Sequence, residues 1–203
     1  MQLLPQQPLI SLDYHLKINH EKRVFIGIPI GCKIKSILSI VKSSINYNPS
    51  HIKWIPAENI HLTLLFLGNI SNKDLPHLIL SVEKKISSNN FQLTIKGTGV
   101  FPSSKSPKVL WLDLGIGVDE LTSLQQQIKE SVEIFNENYQ EITFTPHITI
   151  AKIRRLGRKI DVLPFLNTVY SPIELEVNSI YLYESQLSPE GAQYTVLNAF
   201  PLN

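Results

Sequence analysis

Two His-x-Thr pairs are the residues of this sequence whose types and spacing are best suited to catalysis. His61 precedes Thr63 by two positions, and His147 precedes Thr149 by two positions, with apolar residues between and after them. Side chains alternate between the two faces of a β-strand, so each histidine shares a face with its threonine. The pattern predicts two strands that bury one face and present histidine and threonine on the other.

Two imidazoles and two hydroxyls suit the cleavage of a phosphodiester. One histidine takes a proton from water and the other protonates the departing oxygen, and a pKa near ~6.5 allows opposite protonation states near neutral pH. The threonine hydroxyls can donate to the non-bridging oxygens, where charge develops in the transition state. Two histidines without a neighbouring cysteine or carboxylate motif fall short of the three protein ligands typical of catalytic zinc. We therefore expect neither a metal nor another cofactor.

A single His-x-Thr pair is more often a half-buried histidine beside a β-forming residue, so the interpretation depends on its repetition. His61 lies 37 positions after Val24, and His147 lies 38 positions after Val109, with each valine beginning an apolar strand pattern. A helical pattern lies between the two strands in both halves. The matching spacing predicts two duplicated lobes around a pseudo-twofold axis, whose polar faces meet in one cleft.

The apolar periodicity predicts an α+β fold, a bilobal pseudo-twofold duplication. Two antiparallel sheets are expected to flank a central cleft, with helices on their outer faces. Residues 22–203 are predicted to form this single domain, and residues 1–21 an N-terminal extension without sustained periodicity. The predicted strands are 24–30, 60–67, 91–95, 109–114, 144–151, 173–183 and 194–197. The predicted helices are 34–45, 75–86 and 118–135, with a short helix or irregular turn over 158–169.

The composition is that of a folded and weakly basic protein. A net charge of +2 over 203 residues does not by itself indicate nucleic-acid binding. Cys32 is the only cysteine, which excludes an internal disulfide and a cysteine-based zinc site and fits a reducing compartment. Neither a secretory signal nor an apolar run of ~20 residues is recognisable. We expect a cytoplasmic protein that has no membrane partner and works as a monomer.

A cluster of basic residues follows the second His-x-Thr pair. Such a cluster is either a solvated loop or a patch that binds anions or an RNA backbone, and the sequence leaves both interpretations open. Its members are Lys152, Arg154, Arg155, Arg158 and Lys159.

The two His-x-Thr segments, over 60–68 and 144–152, resemble the paired motifs of the 2H phosphoesterases. Within that superfamily they are most similar to the RNA 2′,3′-cyclic phosphodiesterases, historically called 2′-5′ RNA ligases. Stretches at 23–26 and 100–102 and two stretches within 182–194 are also similar to that group. The resemblance extends over about residues 22 to 200, which is nearly the whole chain.

The resemblance implies hydrolysis of a 2′,3′-cyclic phosphate on RNA ends or nucleotides, leaving a 2′-phosphomonoester. It implies that His61 is the general acid that protonates the 3′ oxygen and that His147 is the base that activates water. Thr63 and Thr149 would hold the phosphate. The near symmetry of the site does not by itself distinguish the acid from the base.

One residue departs from the pattern of this group, which usually has arginine where this chain has Lys152. Lysine keeps the charge but lacks the bidentate fork of a guanidinium. Either phosphate binding is weaker here, or Arg154 also takes part. If the strand continues, the alternation of its side chains is expected to place Lys152 and Arg154 on the face of His147.

Phe66 follows the first pair and is expected to share the face of His61 and Thr63 if the strand stays regular. An aromatic ring there can stack on an unpaired base, although packing in the core is the competing interpretation. Two other functions stay open: reversible 2′-5′ RNA ligation, which is the same chemistry run backward, and a non-catalytic module that binds RNA or nucleotides. A metal-dependent enzyme is the weakest alternative.

Overall fold

The computed structural model describes residues 21–47, 50–135, 143–154, 160–188 and 191–203. The strands of this part are β1 (Glu21–Pro29), β2 (Ile52–Trp54), β3 (His61–Ser71), β4 (Phe91–Phe101), β5 (Val109–Leu114), β6 (Ile148–Ile153), β7 (Ile173–Val177), β8 (Ser179–Ser188) and β9 (Gly191–Pro201). The helices are α1 (Lys35–Ser44), α2 (Leu75–Lys85), α3 (Val118–Val132) and α4 (Leu163–Leu166).

The strands form two antiparallel sheets, as predicted. The first sheet has the order β3-β1-β8-β9, and the second has the order β2-β6-β5-β4-β7. The two strands that carry the His-x-Thr motifs, β3 and β6, approach each other across the boundary between the sheets, with Cα atoms within 8 Å. The α+β fold class and the two-sheet architecture are confirmed.

The pseudo-twofold relation is visible in the pairing of the strands. β1 pairs with β3 in the first sheet, and β5 pairs with β6 in the second. However, β4 follows the first half of the chain and pairs with β5 of the second sheet, whereas the β8–β9 hairpin joins β1 of the first. Neither sheet is therefore built only from consecutive strands, because each half contributes strands to both.

The predicted single strand over 173–183 is wrong, because the chain passes from one sheet to the other at Asn178. Val177 is the last buried residue of β7, and Ile180 is the first of β8. Buried apolar residues fall on odd positions before Asn178 and begin on even positions after it. That change of phase marks the break, since a continuous strand keeps one phase.

The core lies between the helices and the apolar faces of the sheets. In the motif strands, Leu62 and Ile148 are fully buried, whereas the histidines before them are only half-buried. Burying a side chain of this size contributes roughly 1.5–3 kcal/mol. Helix α1 buries Ile37 and Val41 on one face. The helices pack with such apolar faces against the apolar sides of the sheets, which is why the sequence predicts them on the outer faces.

Parts of the predicted organisation fall outside the described residues. These are residues 1–20 of the expected N-terminal extension and three of the five basic residues, Arg155, Arg158 and Lys159. The expected strand over 144–151 begins its ladder only at Ile148. Among the described helices, none has the length and apolar character needed to cross a membrane.

Candidate active site

A β-bulge follows the first His-x-Thr pair. Thr63 lies opposite Gly27 of β1, and Leu65 lies opposite Ile26, so Leu64 is an extra residue without a partner of its own. A bulge of this kind reverses the alternation of faces for the residues that follow it. The bulge thus decides which later side chains share the face of the histidine.

The second pair is followed by a bulge at the equivalent place. Thr149 lies opposite Trp111 of β5, and Ala151 lies opposite Leu110, which leaves Ile150 as the extra residue. Both bulges come three positions after the histidine. The repetition of this irregularity supports a common architecture for the two halves.

Phe66 and Lys152 lie on the expected faces, but only because a bulge precedes each of them. Each lies five positions after its histidine, so a regular strand would turn it to the opposite face. In the structure, Phe66 packs on Phe25, with ring centroids 5.5 Å apart, and Phe25 in turn packs on His61 at 4.7 Å. Phe66 therefore lies on the face of His61, but the assumption of a regular strand was wrong.

Lys152 reaches the face of Thr149 in the same way. Lys152 lies opposite Val109 of β5, and Thr149 lies opposite Trp111. Residues directly opposite each other share a face, as do Val109 and Trp111 two positions apart. Arg154 continues in phase with Lys152, and both side chains are exposed.

Both histidines are anchored in the same way by their Nδ1 atoms. Nδ1 of His61 lies 2.8 Å from the carbonyl oxygen of Asn59, and Nδ1 of His147 lies 2.7 Å from that of Thr145. A carbonyl oxygen only accepts, so we assign the proton to Nδ1, which donates it. In the neutral ring, Nε2 is then the unprotonated nitrogen and is available to take a proton.

Aromatic rings surround His61. The rings of Phe25 and Tyr194 lie 4.7 and 4.9 Å from it between centroids, and that of Tyr183 lies 6.2 Å away. Burial lowers the pKa of His61, and the hydrogen bond to the Asn59 carbonyl offsets only part of this effect. The neutral imidazole is therefore favoured at this position in the free protein.

The tyrosines beside His61 stay protonated over a wide pH range. Burial raises the pKa of Tyr183 to about 12, with a smaller contribution from Tyr181. Burial also raises the pKa of Tyr194, although the charge of Arg23 acts in the opposite direction. These phenols form an uncharged wall and are poor candidates for proton transfer near neutral pH.

His147 packs against a second aromatic pair. The ring of Phe101 meets it edge-on at 5.0 Å, and the Trp111 ring lies 6.0 Å away. Trp111 lies over Gly99, where an added Cβ would be only 2.1 Å from the indole. The buried Nε1 of Trp111 has no hydrogen-bond partner in the described part of the chain. Glycine at position 99 therefore makes room for the ring that supports His147.

The hydroxyl-bearing side chains of Thr63 and Thr149 are half-buried on the same faces as the histidines. Within the described ranges, neither hydroxyl makes a hydrogen bond to another protein group. Over the same residues, no cluster of three histidine, cysteine or acidic side chains is arranged to hold a metal ion. The polar side chains that the two motif strands place on these faces include the histidines, the threonines and Lys152.

Sequence reasoning did not assign a role to Phe25, Tyr183 or Tyr194, which line the His61 side of the site. β8 and β9 follow β3 by more than a hundred residues, so periodicity alone could not place these rings beside His61. The only signal in the sequence was that the segments containing them resemble the same family as the His-x-Thr motifs. Sequence reasoning also missed β2, because three residues are too few for a periodic pattern.

Comparison with known proteins agrees with this architecture. The family model described as LigT like Phosphoesterase matches residues 34–111. The chain is 33% identical over 188 residues to the RNA 2′,3′-cyclic phosphodiesterase of Aquifex aeolicus, covering 89% of this chain and 97% of that protein.

Solved structures share the fold. TT0787 of Thermus thermophilus has a TM-score of 0.71 at 24% identity, covering 89% of this chain and 97% of its own. Escherichia coli LigT complexed with 3′-AMP has a TM-score of 0.71 at 22% identity, covering 90% of this chain and 99% of its own. The 33% identity to the Aquifex protein over nearly the whole of both chains shows that this chain belongs to the family of the RNA 2′,3′-cyclic phosphodiesterases.

Proposed function

We propose that this protein hydrolyses the 2′,3′-cyclic phosphate of RNA ends or nucleotides to a 2′-phosphomonoester, with His61 and His147 as the acid/base pair. The observation that carries the proposal is the matched anchoring of the two imidazoles. His61 is the first residue of β3 and His147 immediately precedes β6, and in each the Nδ1 atom donates to a carbonyl two residues earlier. Both rings are thus held in the tautomer that leaves Nε2 for proton transfer.

The relatives support the same chemistry. The Aquifex protein is named an RNA 2′,3′-cyclic phosphodiesterase, and the E. coli LigT structure contains 3′-AMP. That ligand is a ribose phosphate, although its phosphate is on the 3′ oxygen and the proposed product carries it on the 2′ oxygen. The shared family therefore favours a cyclic phosphate on ribose as the substrate.

In the proposed reaction, Nε2 of His147 takes a proton from a water molecule as its oxygen attacks phosphorus. The bond between phosphorus and the 3′ oxygen breaks, and the protonated Nε2 of His61 gives its proton to that oxygen. The products are a 2′-phosphate and a free 3′ hydroxyl. One proton is gained by His147 and one is lost by His61, so exchange with solvent restores the starting state.

The environment of His61 suits an acid that must release its proton readily. Burial lowers the pKa of His61 in the free protein, which makes its imidazolium a stronger acid. A bound phosphate is negatively charged and favours the protonated ring before reaction. The assignment of His61 as the acid rests on the family resemblance, and this electrostatic argument is compatible with it.

The remaining residues would bind the substrate. Thr63 and Thr149 would donate to the non-bridging oxygens of the phosphate, and Lys152 would offset part of their charge. Phe66, whose side chain is 59% exposed, would stack on the terminal base. We also propose a cytosolic monomer, since the single Cys32 fits a reducing compartment.

The test uses an RNA oligomer that ends in a 2′,3′-cyclic phosphate, incubated with the purified protein in the presence of EDTA. Opening to a 2′-phosphate is expected for the wild type, and His61→Ala and His147→Ala should each lose about 10²–10⁴-fold in rate. The exposed His77 on α2 provides the control, since His77→Ala should retain full activity. A 3′-phosphate product, or activity lost in EDTA, would overturn the proposal.

A second arm of the experiment separates the alternatives. Adding an RNA with a 5′ hydroxyl tests whether that hydroxyl replaces water and joins the ends. Binding without any product, unchanged in His147→Ala, would instead indicate a recognition module.

A further inference from the structure

The first sheet curls so that its two outermost strands meet beside His61. β3 and β9 lie at opposite ends of the strand order β3-β1-β8-β9, yet Tyr194 of β9 meets the imidazole of His61 edge-on, with ring centroids 4.9 Å apart. Three strand pairings separate these two residues. Their contact therefore depends on how tightly the whole sheet is curled, and the register of any one pair of strands does not fix it.

One side chain joins the two ends of the sheet directly. Asn59 precedes His61 by two residues, and Ala192 precedes Tyr194 by two residues. The side-chain amide of Asn59 donates to the carbonyl oxygen of Ala192 at 3.3 Å. We call this hydrogen bond the edge tether, because it lies next to the place where the two rings meet.

The backbone on both sides of Asn59 is fixed by hydrogen bonds. Asn59 ends a single 3₁₀ turn between β2 and β3, and its N–H donates to the carbonyl oxygen of Pro56 at 2.9 Å. The next carbonyl oxygen, that of Ile60, accepts from two backbone N–H groups just after β1 at 3.2 and 3.0 Å. Asn59 is therefore a rigid support that holds the His61 ring with its carbonyl oxygen and β9 with its side chain.

The start of β9 is held from a second direction. The hydroxyl of Ser188 donates to the carbonyl oxygen of Gly191 at 2.9 Å, within the β8–β9 hairpin. A Cβ added to Gly191 would lie 3.5 Å from the Nζ atom of Lys53 on β2. The hairpin thus lies against β2 as well as against the connection that leads to His61.

His147 is held without an equivalent of the edge tether. Its neighbouring rings come from adjacent strands of the second sheet, since Trp111 lies on β5, which pairs with β6, and Phe101 lies on β4, which pairs with β5. Thr145 takes the place of Asn59 and offers its carbonyl oxygen to Nδ1 of His147. Within the described residues, the Thr145 side chain is exposed and makes no hydrogen bond. The two histidines therefore differ in what keeps their aromatic neighbours in place.

We propose that Asn59 is a positioning residue, whose side chain holds the curled sheet closed so that Tyr194 keeps the imidazole of His61 oriented for proton transfer. The inference rests on the proposed function of His61 and adds a residue that acts without touching the substrate. A single hydrogen bond at Nδ1 leaves the imidazole free to rotate about that bond, and an aromatic ring against it limits the rotation. Since Nε2 must come within hydrogen-bond reach of the departing oxygen, a small rotation reduces the rate.

Asn59→Ala tests the edge tether, because it removes the side-chain amide and keeps the carbonyl oxygen that accepts from His61. We expect nuclear Overhauser contacts between the rings of His61 and Tyr194 to weaken. The pKa of His61 should rise, because burial is the larger cause that lowers it. On an RNA oligomer that ends in a 2′,3′-cyclic phosphate, kcat should fall on the order of tenfold while KM changes little. Asn59→Asp keeps the size of the side chain but offers no donor to Ala192, so it should weaken the ring contact as well.

Asn198→Ala is the matched control. Asn198 also lies on β9, and its side-chain amide donates to Oε1 of Glu83 on α2 at the same distance, 3.3 Å. This variant removes a comparable hydrogen bond from the same strand, far along the chain from the edge tether. The ring contact, the titration of His61 and kcat should all stay at their wild-type values.

A double-mutant comparison decides whether Asn59 acts through Tyr194. If it does, Asn59→Ala should shift the pKa of His61 much less in a Tyr194→Ala background than in the wild type. Full additivity of the two substitutions, an unchanged ring contact in both Asn59 variants, or an equal effect of Asn198→Ala would overturn the inference. Failure of the wild type to open the cyclic phosphate would instead overturn the proposed function, and the NMR measurements would still decide the role of the tether.

Discussion

Leu64 and Ile150 are equivalent residues, because each is the extra residue of a β-bulge three positions after a motif histidine. Bulges are common beside active sites, where they re-aim the side chains that follow. Here they turn Phe66 and Lys152 onto the faces of the two histidines. The same local irregularity in both halves thus adds one side chain to the face of each histidine, an aromatic ring beside His61 and a cation beside His147.

The pKa of His61 should lie below the ordinary value of about 6.5, because burial disfavours the imidazolium. Tyr194→Ala removes a ring whose centroid lies 4.9 Å from that of His61, which should admit water and raise this pKa. Tyr194→Phe keeps the ring and should leave the pKa of His61 low. NMR titration of the His61 ring measures the midpoint in all three proteins. A midpoint at or above about 6.5 in the free wild type would contradict the argument.

The pH dependence of kcat/KM should follow the ionisation of His61. Two histidines in opposite protonation states predict a bell-shaped profile of kcat/KM between about pH 5 and 9. In Tyr194→Ala, one limb of this profile should move to higher pH by the amount that NMR measures for His61. A flat profile, or limbs that stay fixed while the NMR midpoint moves, would exclude His61 from the proton transfers.

Gly99→Ala should damage both stability and catalysis. Its Cβ would lie 2.1 Å from the indole of Trp111, so the ring must move away from the place where it supports His147. We expect a loss of about 1–3 kcal/mol in the free energy of unfolding, as for other overpacked sites. Urea unfolding and kcat/KM provide the two measurements.

Gly115→Ala is the matched control for that substitution. The nearest atom to its Cβ would be 3.7 Å away, which is ordinary contact. This variant should stay close to the wild type in both measurements. Equal behaviour of the two variants would show that the close approach of Trp111 to Gly99 has no consequence.

The arrangement within each His-x-Thr motif could be predicted from sequence. The residues that distant strands bring to the motif could not. Alternation along a short stretch suffices to place His61 beside Thr63 and to bury Leu62, because strand geometry is local. The rings of Tyr183 and Tyr194 reach His61 through the pairing of β1 with β8 and of β8 with β9. Such pairing depends on tertiary packing, which periodicity does not encode.

The bulges mark a second limit of sequence reasoning. Leu64 and Ile150 are apolar and buried, as Leu62 and Ile148 are two positions earlier, so nothing in their side chains distinguishes them from regular strand residues. Only the register with β1 and β5 reveals that they lack partners. The passage between sheets at Asn178 was different, because the shift of the apolar positions from odd to even can be seen in the sequence.

Acidification should weaken the first sheet through Glu184. Its carboxylate accepts hydrogen bonds from Lys22 at 2.5 Å and from Gln186 at 3.0 Å, and these lower its pKa. The resulting stabilisation is present above the ordinary glutamate pKa of about 4.3 and is lost as the pH falls through the lowered value. Glu184→Gln should therefore cost about 1–3 kcal/mol at neutral pH and less in acid.

Urea unfolding at a series of pH values measures this difference. The exposed Glu176 of β7 provides a control, since Glu176→Gln changes the charge equally without removing the bond to Lys22. A cost of Glu184→Gln that stays constant down to pH values below the lowered pKa would contradict the linkage.

Lys152→Arg should improve the enzyme on RNA ends, because it supplies the residue that the family usually has at this position. The planar guanidinium offers two parallel N–H donors to a phosphate, whereas the ammonium of lysine acts as a point charge. The exposed side chain follows the bulge on the face of Thr149, so the longer group requires no repacking of the core. We expect a severalfold lower KM for Lys152→Arg and, for Lys152→Gln, a loss of about tenfold in kcat/KM. Steady-state kinetics on an RNA oligomer that ends in a 2′,3′-cyclic phosphate measure both. If Lys152→Gln matched the wild type, Lys152 would have no part in binding the substrate, and the departure from the family's arginine would carry no functional cost.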